Sequence, residues 1–431
     1  MAFISLLVYA VAMLIRPHEW GVLLNDESSI VRDSLLVCMV FFALHRNKNF
    51  KVPQFSLMVL FVGAIFMSVL AAGWLGGAVE QSELFTRVAF VPFVLISGLV
   101  DSLKRHQVLS VLIILAALIM VYNGYVQSID PDGIGLVGNP IHREGTNTRI
   151  TYLGFLADPN DLGMYLVMTL PLIFYFKQLS PVFFRFLHWG AIFAMLYGIY
   201  LTNSRGTLLA TLSLIFLWFW RKYGTTKSIF IGLAGSPVLL FVMSNFREIS
   251  PEDESAQGRL DAWYAGYQMF MGSPLFGIGQ GGFTEYNRLT AHNSLVLAFA
   301  ELGLVGCILW VTLLTITALT LLNIADRKYL PQELAGDPKL SVVAMQESRV
   351  AITLLYSLAA YVVSGFFLSR TYIPVLYLFL GLSAACLGRV QRAYPKLPAS
   401  CFYDLKFTLK VSVGITVGAI VSIWLLVRVL I

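Results

Sequence analysis

Two neighbouring residues late in the chain have side chains suited to acid–base chemistry. His292 and Asn293 stand where the polar stretch 245–291 gives way to an apolar run. An imidazole titrates near neutral pH, which suits a general base. The positive end of a helix that begins here would disfavour imidazolium and keep the ring able to accept a proton. His292 is therefore the candidate base, and Asn293 could orient its ring or a substrate hydroxyl. The alternative is an interfacial histidine with no chemical role.

Two arginines have the chemistry to bind phosphate. Arg205 lies in a tight turn, 202–206, between two apolar segments, and Arg259 follows Gly258 at the head of a short helical pattern. A guanidinium is a planar, permanently charged fork that pairs two phosphate oxygens at once. A helix N-terminus also attracts anions, so Arg259 and nearby backbone N–H groups could share one phosphate. We therefore expect both arginines to bind a phosphate or diphosphate group.

The elements that position these residues are membrane helices. The 431 residues are 58% hydrophobic and 13% charged, whereas soluble domains carry roughly a quarter charged residues. A spanning helix needs about 20 mainly apolar residues. The candidate spans are 2–22, 30–45, 54–72, 84–100, 107–123, 160–178, 183–202, 206–221, 228–244, 292–322, 349–368, 372–388 and 408–430. The sequence predicts an all-α polytopic membrane protein of 12–13 helices, of which 408–430 is the uncertain one.

We expect one membrane domain over residues 1–431. Met1–Ile15 is interpreted as part of a first membrane helix, because no basic region precedes it as in a cleaved signal peptide. The expected sections are N-terminal helices over 1–123, a loop over 124–159, core helices over 160–244, a large partly helical loop over 245–291 and C-terminal helices over 292–431.

The distribution of basic residues predicts the orientation. If successive loops alternate between the two sides, every lysine falls in or beside the loops of one side, which the positive-inside rule makes cytoplasmic. The opposite loops and nearby helix ends carry only arginine: Arg16, Arg32, Arg87, Arg143, Arg149, Arg205, Arg247, Arg259, Arg288 and Arg370. Acidic residues or lipid headgroups could pair with many of these. Alternatively, the set indicates a phosphate-bearing substrate, which Arg16, Arg87, Arg143, Arg149 and Arg288 could also bind.

Several other classes of site lack support in the sequence. No basic run of useful length suggests nucleic-acid binding, and no His, Asp or Glu cluster on the arginine side has metal-ligand spacing. Residues 277–282 are glycine-rich but follow no strand and lack a P-loop lysine, so we expect no nucleotide site. We expect no metal and no cofactor. Glu301, within an apolar segment, is interpreted as a packing or hydrogen-bonding residue between helices.

The order of the motifs resembles the O-antigen ligase and O-antigen polymerase superfamily over Asp158 to Ile324. The motifs that carry the resemblance are Ser204-Arg205-Gly206, Gly258-Arg259, Pro274-Leu275-Phe276-Gly277-Ile278-Gly279, His292-Asn293 and Glu301-Leu302-Gly303-Leu304-Val305-Gly306. Ile15-Arg16-Pro17-His18-Glu19-Trp20 is similar to the start of a subgroup of O-glycosylation ligases found with exopolysaccharide systems.

The resemblance implies a class C glycosyltransferase fold in a Gram-negative inner membrane, with a periplasmic active site. Such ligases move a glycan from undecaprenyl pyrophosphate to a lipid A-core sugar. By matching position, Arg205 and Arg259 would bind the pyrophosphate and His292 would activate the acceptor hydroxyl. The expected reaction is a single inverting displacement without a metal.

Other functions remain open at this point. The polymerase branch joins repeat units, and an oligosaccharyltransferase branch glycosylates protein; the motifs do not separate these from a ligase. A transporter of lipid-linked sugar predicts ionisable residues near helix midpoints and internal repeats, which are not evident. In a non-catalytic lipid-binding scaffold His292 would be dispensable. The sequence leaves sugar identity, linkage and oligomeric state open.

Overall fold

The structure is a computed structural model, and it describes residues 1–20, 29–46, 48–144, 147–228, 254–330 and 337–430. It is 77% helical with almost no sheet. The protein is therefore an all-α polytopic membrane protein, as the composition predicts.

The helices follow one another along the chain. Those of the first half are α1 Ala2–Leu14, α2 Ile30–Ala43, α3 Pro53–Ala71, α4 Leu75–Phe85, α5 Val91–Leu99, α6 Leu103–Ile129, α7 Pro159–Leu179, α8 Arg185–Leu201 and α9 Arg205–Tyr223. The later ones are α10 Glu254–Gly272, α11 Phe283–Tyr286, α12 Ser294–Ala325, α13 Pro338–Gly365, α14 Pro374–Ala393 and α15 Leu405–Leu430. A π-helical segment, Thr86–Phe90, joins α4 to α5, so that they form one apolar rod.

Among the described residues, nine helices are long and apolar enough to cross a membrane. They are Pro53–Ala71, Leu75–Leu99, Leu103–Ile129, Pro159–Leu179, Val182–Leu201, Ser294–Ala325, Leu340–Gly365, Pro374–Ala393 and Leu405–Leu426. The predicted spans 2–22, 30–45 and 206–221 contain the shorter or less apolar helices α1, α2 and α9. Residues 229–244 of the predicted span 228–244 lie outside the described residues.

One short sheet interrupts the helical pattern, and the sequence did not predict it. Strand β1, His142–Glu144, pairs antiparallel with β2, Asn147–Arg149, so that His142 faces Arg149. This hairpin lies in the loop that the sequence places over 124–159, although α6 extends to Ile129. The strands therefore give an arginine-bearing loop a fixed shape.

The chain forms two compact units. The first comprises Met1–Arg46, Ser102–Pro251 and Thr353–Ser364. Within it α7 packs against α6, α8 and α9, and most of its residues from Pro159 to Ile173 are buried. The hairpin and the turn before α9 belong to this unit.

The second unit comprises Asn47–Asp101, Glu252–Ile352 and Gly365–Ile431. Within it α12 packs against α3 and α15, and α14 packs against α5. A buried ion pair joins α13 to α14: Arg389 Nε and Nη2 donate to the two Glu347 carboxylate oxygens at 2.7 and 2.8 Å. Arg389 Nη1 also donates to the Val100 carbonyl at 3.0 Å, beside the end of α5. The charge pair thereby fixes three elements of this unit.

Helix α12 is interrupted at Gly303, where the backbone is left-handed with φ 62° and ψ −163°. Just past the break, the N–H of Leu304 donates to the Pro274 carbonyl at 2.8 Å and that of Val305 donates to the Leu275 carbonyl at 3.2 Å. A preceding loop thus supplies acceptors that the helix itself lacks. Irregular backbone at membrane depth is tolerated where protein groups satisfy it in this way.

The same loop also satisfies the first half of α12. The N–H of Ile278 donates to the Ala300 carbonyl, and that of Gly279 donates to the Glu301 carbonyl, both at 3.0 Å. Gly277 has φ 73°, and a Cβ on it would lie 2.3 Å from the Glu301 carbonyl carbon. Gly277, in the glycine-rich segment 277–282, therefore serves close backbone packing against α12.

Candidate active site

His292 directly precedes the cap of α12. Its backbone is left-handed, with φ 48°, and its side chain is half-buried. Such a conformation costs a non-glycine residue about 1 kcal/mol or more and persists only where neighbouring contacts enforce it. Asn293 is buried, and its Oδ1 accepts hydrogen bonds from the Leu295 and Val296 N–H groups at 2.9 and 3.2 Å. The cap fixes where the helix starts and so where the imidazole stands.

The capping bonds refine one prediction. Asn293 Oδ1 is used by the helix, so the amide nitrogen is the part of this side chain that a substrate contact would involve. The predicted contact with substrate stays a prediction. The predicted start of a helix at this point is confirmed.

A distant segment, 368–371, is tied to the first residue of α12. Ser294 Oγ donates to the Leu368 carbonyl at 2.6 Å and accepts from the Arg370 N–H at 2.9 Å. Thr371 Oγ1 donates to the Ser294 carbonyl at 2.7 Å. Three hydrogen bonds therefore hold the backbone of segment 368–371 two residues beyond His292.

The other side of His292 is tied to the same segment. Thr290 Oγ1 donates a short hydrogen bond to Ser369 Oγ. Segment 368–371 is itself held by Tyr377 on α14, whose hydroxyl donates to the Thr371 carbonyl at 2.8 Å. Contacts on both sides of His292 therefore account for its unusual backbone.

Arg259 is carried by α10, which reaches the same region. It is half-buried. A Cβ on the preceding Gly258 would touch Leu289 Cδ1 at 3.4 Å, so this turn lies against the residues leading to His292. One turn further on, the Trp263 ring packs edge-on against Phe366 with ring centroids 5.7 Å apart. Arg259 is thus flanked by contacts to both chain segments that border His292.

The rest of α10 is packed firmly onto α12. A Cβ on Gly266 would lie 2.6 Å from a methyl carbon of Val296 and 3.1 Å from the Phe283 ring, so only glycine allows this approach. The rings of Phe270 and Phe299 meet edge-on at 5.5 Å. The second unit therefore brings together the helices that carry two of the three predicted catalytic residues, Arg259 and His292.

Arg205 belongs to the first unit, where it opens α9. The tight turn predicted before it is confirmed: Asn203 has φ 46°, and Ser204 caps the helix by accepting a hydrogen bond from the Thr207 N–H at 3.3 Å. A Cβ on Gly163 of α7 would lie 2.3 Å from Thr207 Oγ1. The turn that presents Arg205 is consequently fixed by close packing against α7.

Arg149 is held beside the same turn. Its Nε donates to the Thr202 carbonyl at 3.0 Å, and its Nη2 donates to Asn160 Oδ1 at 2.7 Å. These bonds link the end of β2 to the start of α7 and to the turn that precedes Arg205. Of the other predicted arginines in this unit, Arg149 is therefore the one that the contacts place next to Arg205.

Arg16 lies elsewhere in the first unit, in a left-handed conformation with φ 54°. Its Nη2 forms a short ion pair with Glu19. Its guanidinium packs on Gly154, where a Cβ would lie 2.5 Å from the guanidinium carbon. The predicted motif around Arg16 therefore forms a local cluster, and its role in substrate binding stays a prediction.

The remaining predicted arginines have more exposed settings. Arg87 pairs with Glu83 one helical turn away, at 3.2 Å, with both side chains largely exposed. Arg143 is exposed, and its Nη2 donates to the Asp132 carbonyl at 3.1 Å. Arg288 is exposed, four residues before His292. The contacts described for these three do not link them to His292 or Arg259.

The acidic residue within α12 has the structural role expected of it. Glu301 is buried; its Oε2 accepts from the Tyr372 hydroxyl at 2.9 Å, and its Oε1 accepts from the Phe283 N–H at 3.3 Å. Burial, together with the Glu301 carboxylate, raises the pKa of Tyr372 well above its usual value. Tyr372 therefore remains protonated and keeps donating this bond at any ordinary pH.

Sequence reasoning missed the position of Arg370. It was counted among the arginines opposite the lysines, but it was not assigned to the site. Its hydrogen bond to Ser294 spans 76 positions, and no local pattern predicts a contact of that separation. The available signal was its place just before the helix that begins at Pro374.

Comparison with known families agrees with the motif pattern. Residues 190–311 match a family model described as O-antigen ligase, and this span holds Arg205, Arg259 and His292. The match lies inside the stretch 158–324 over which the resemblance was predicted, so that prediction is confirmed. The similarity of residues 15–20 to the exopolysaccharide-associated ligases stays a prediction. No curated protein matches the chain.

Proposed function

We propose that the protein transfers a glycan from undecaprenyl pyrophosphate to a sugar hydroxyl of lipid A-core, since residues 190–311 match a family model described as O-antigen ligase. The family is glycosyltransferase-like. The membrane helices suit a lipid-linked donor and a lipid-anchored acceptor, since a membrane protein can bind both at the surface of the bilayer.

The observation that carries this proposal is the setting of His292 beside the Arg259 helix in the second unit. A histidine in a left-handed backbone, half-buried and fixed by contacts on both sides, is held in one place as a base must be. Arg259 lies on α10, and this helix packs against the residues that lead to His292. The pair supplies a proton acceptor and a cation from two contacting segments.

The proposed reaction is a single displacement at the anomeric carbon. The acceptor oxygen forms the new bond to that carbon while its proton passes to His292. The bond from the anomeric carbon to the phosphate oxygen breaks, and the diphosphate leaves with the electron pair, which inverts the configuration. Arg259 neutralises charge that develops on the diphosphate, a role that a fixed cation can fill in place of a metal.

Arg205 is assigned the same chemistry, diphosphate binding, on its place at the start of α9 and its match to the family motif. Arg149 is the arginine held beside its turn. The distribution of lysines supports an inner-membrane location with the arginine-bearing loops facing the periplasm.

One experiment tests the activity and separates its variants. Purified protein is incubated with undecaprenyl pyrophosphate-linked glycan, first with lipid A-core, then without an acceptor and then with an added acceptor protein, and the products are resolved by mass. Attachment of the glycan to lipid A-core supports the ligase. Chain growth without acceptor would instead identify a polymerase, and transfer only to an added protein would identify an oligosaccharyltransferase. Intact donor in every arm would contradict a transferase and favour a transporter or scaffold.

A further inference from the structure

We propose that Arg370 is a further donor-binding residue, whose guanidinium pairs with a phosphate oxygen of the lipid-linked diphosphate. The inference rests on the proposed function and extends it to a residue outside the matched domain, 190–311. Arg370 is half-buried, and its Nη1 donates to the Ser369 carbonyl at 3.2 Å.

The first argument is position. The Arg370 N–H donates to Ser294 Oγ, and the flanking residues Ser369 and Thr371 bond to Thr290 and Ser294. The backbone of Arg370 is therefore fixed beside the segment that contains His292. A group that pairs with the leaving diphosphate must lie close to the base in space, because the two act around the same anomeric centre.

The second argument is the neighbouring helix that carries Arg259. Trp263 of α10 packs on Phe366, at the start of the connection that leads to Arg370. Gly258 of α10 lies against Leu289, at the start of the connection that leads to His292. Arg259, His292 and Arg370 thus sit on three segments in mutual contact within the second unit. Two cations on segments that contact the segment of the base suit a diphosphate, which carries several charged oxygens.

The third argument is electrostatic. The Arg370 N–H donates a hydrogen bond to Ser294, which is the first residue of α12. Arg370 also lies four residues before Pro374, the first residue of α14. The N-terminal end of a helix carries partial positive charge, which is an unfavourable setting for a cation by itself. A bound anion removes this repulsion and draws on both helix ends as well as on the guanidinium.

The hydrogen bonds of Arg370 also allow its side chain to be replaced without loss of the backbone contact to Ser294. Ser294 is bonded to the backbone N–H of Arg370, so replacing the side chain leaves that hydrogen bond in place. The variants are Arg370→Ala and Arg370→Lys, with Arg185→Ala as the control. Arg185 is exposed, donates to the Ser180 carbonyl and lies at the start of α8, on the side that the lysines mark.

Each protein is placed in nanodiscs and titrated with undecaprenyl diphosphate that carries no glycan, with inorganic pyrophosphate as a competitor. We expect Arg370→Ala to bind the lipid diphosphate about 10- to 100-fold more weakly than the wild type, as expected for loss of one charge-assisted hydrogen bond. Arg370→Lys should recover part of that loss, and Arg185→Ala should bind like the wild type. In turnover, the KM for the donor should rise in Arg370→Ala. Competition by pyrophosphate would show that the diphosphate is recognised, and its absence would show that the lipid chain carries the affinity and would overturn the assignment.

The outcomes separate the two proposals. If the wild type binds no lipid diphosphate, the proposed function fails and the role of Arg370 fails with it. If the wild type binds and Arg370→Ala binds within twofold, the role of Arg370 alone is overturned. Thermal unfolding of each variant checks the fold. Should Arg370→Ala be unstable, Arg370→Lys decides, because wild-type affinity with lysine would contradict pairing by the guanidinium fork.

Discussion

Gly277 and Glu301 lie in backbone contact: a Cβ on Gly277 would lie 2.3 Å from the carbonyl carbon of Glu301. The contact seats the loop after α10 against the break in α12. It also sets the position of this loop relative to the residues between the loop and His292.

Gly277→Ala should destabilise the protein strongly, by about 3 kcal/mol or more, since the methyl group meets backbone that cannot move aside and φ is positive. Gly281→Ala is the matched control, because Gly281 has φ 85° with open space around its Cβ position. It carries backbone strain alone, about 1–2 kcal/mol. Thermal unfolding in detergent compares the two. Equal losses would show that steric contact with Glu301 is unimportant.

His292→Gly should abolish transfer while leaving donor binding intact. Glycine accepts the left-handed backbone at this position more readily than histidine does, so the fold should be preserved. Removing a general base typically lowers the rate about 10²- to 10⁴-fold. Single-turnover transfer and donor affinity are measured side by side, and His292→Ala should behave in the same way. Near-normal turnover in both variants would refute the base assignment.

Arg259→Lys should lower transfer about 10- to 100-fold, because an ammonium group cannot pair two phosphate oxygens at once. The informative quantity is kcat/KM for the lipid-linked donor, measured at two salt concentrations. A lysine variant with wild-type turnover would leave Arg259 only a general electrostatic role. Arg185→Lys serves as the comparison, since Arg185 is exposed and was not assigned to the substrate.

Transfer should persist after exhaustive chelation and dialysis. Paired guanidinium groups can neutralise a departing diphosphate without a divalent ion. Within the described part of the chain, His, Cys, Asp and Glu form no group of three or more that could hold a metal. The assay compares the rates before and after chelation, then after Mg²⁺ is added back. A rate lost on chelation and restored by Mg²⁺ would contradict the prediction.

Breaking the buried pair between Arg389 and Glu347 should cost about 3–5 kcal/mol, since Glu347→Gln leaves a buried guanidinium without its counter-charge. Replacing both residues by methionine should recover much of the loss, because no unpaired charge remains. The exposed pair of Arg87 and Glu83 is the control, worth about 0–1 kcal/mol. Unfolding temperatures order the variants, and an additive double replacement would show that the two side chains do not interact.

The helices were predictable from the sequence because apolar runs of spanning length leave the chain few alternatives in a membrane. The cap at Asn293 was not predicted, although an asparagine before an apolar run is a common helix cap. The hairpin from His142 to Arg149 was not predictable, because its strands are three residues long and lack an apolar alternation.

The site was predictable in its residue types and less so in its arrangement. His292 was identified by its type and by its place at a helix start. Arg259 was identified by its type, but its predicted place at the head of a helix is wrong, because α10 begins five residues earlier, at Glu254. The contacts that fix them, such as Arg370 to Ser294 and Tyr372 to Glu301, join residues 76 and 71 positions apart. A single sequence carries no periodicity at such separations, so only the folded chain shows them.

The break at Gly303 has a mechanical consequence. A helix that loses its internal hydrogen bonds ordinarily bends at that point, but here residues 274–279 replace them from outside. The interruption is therefore braced by backbone hydrogen bonds from this loop, so the start of α12 beside His292 depends on residues 274–279 as well as on the helix itself.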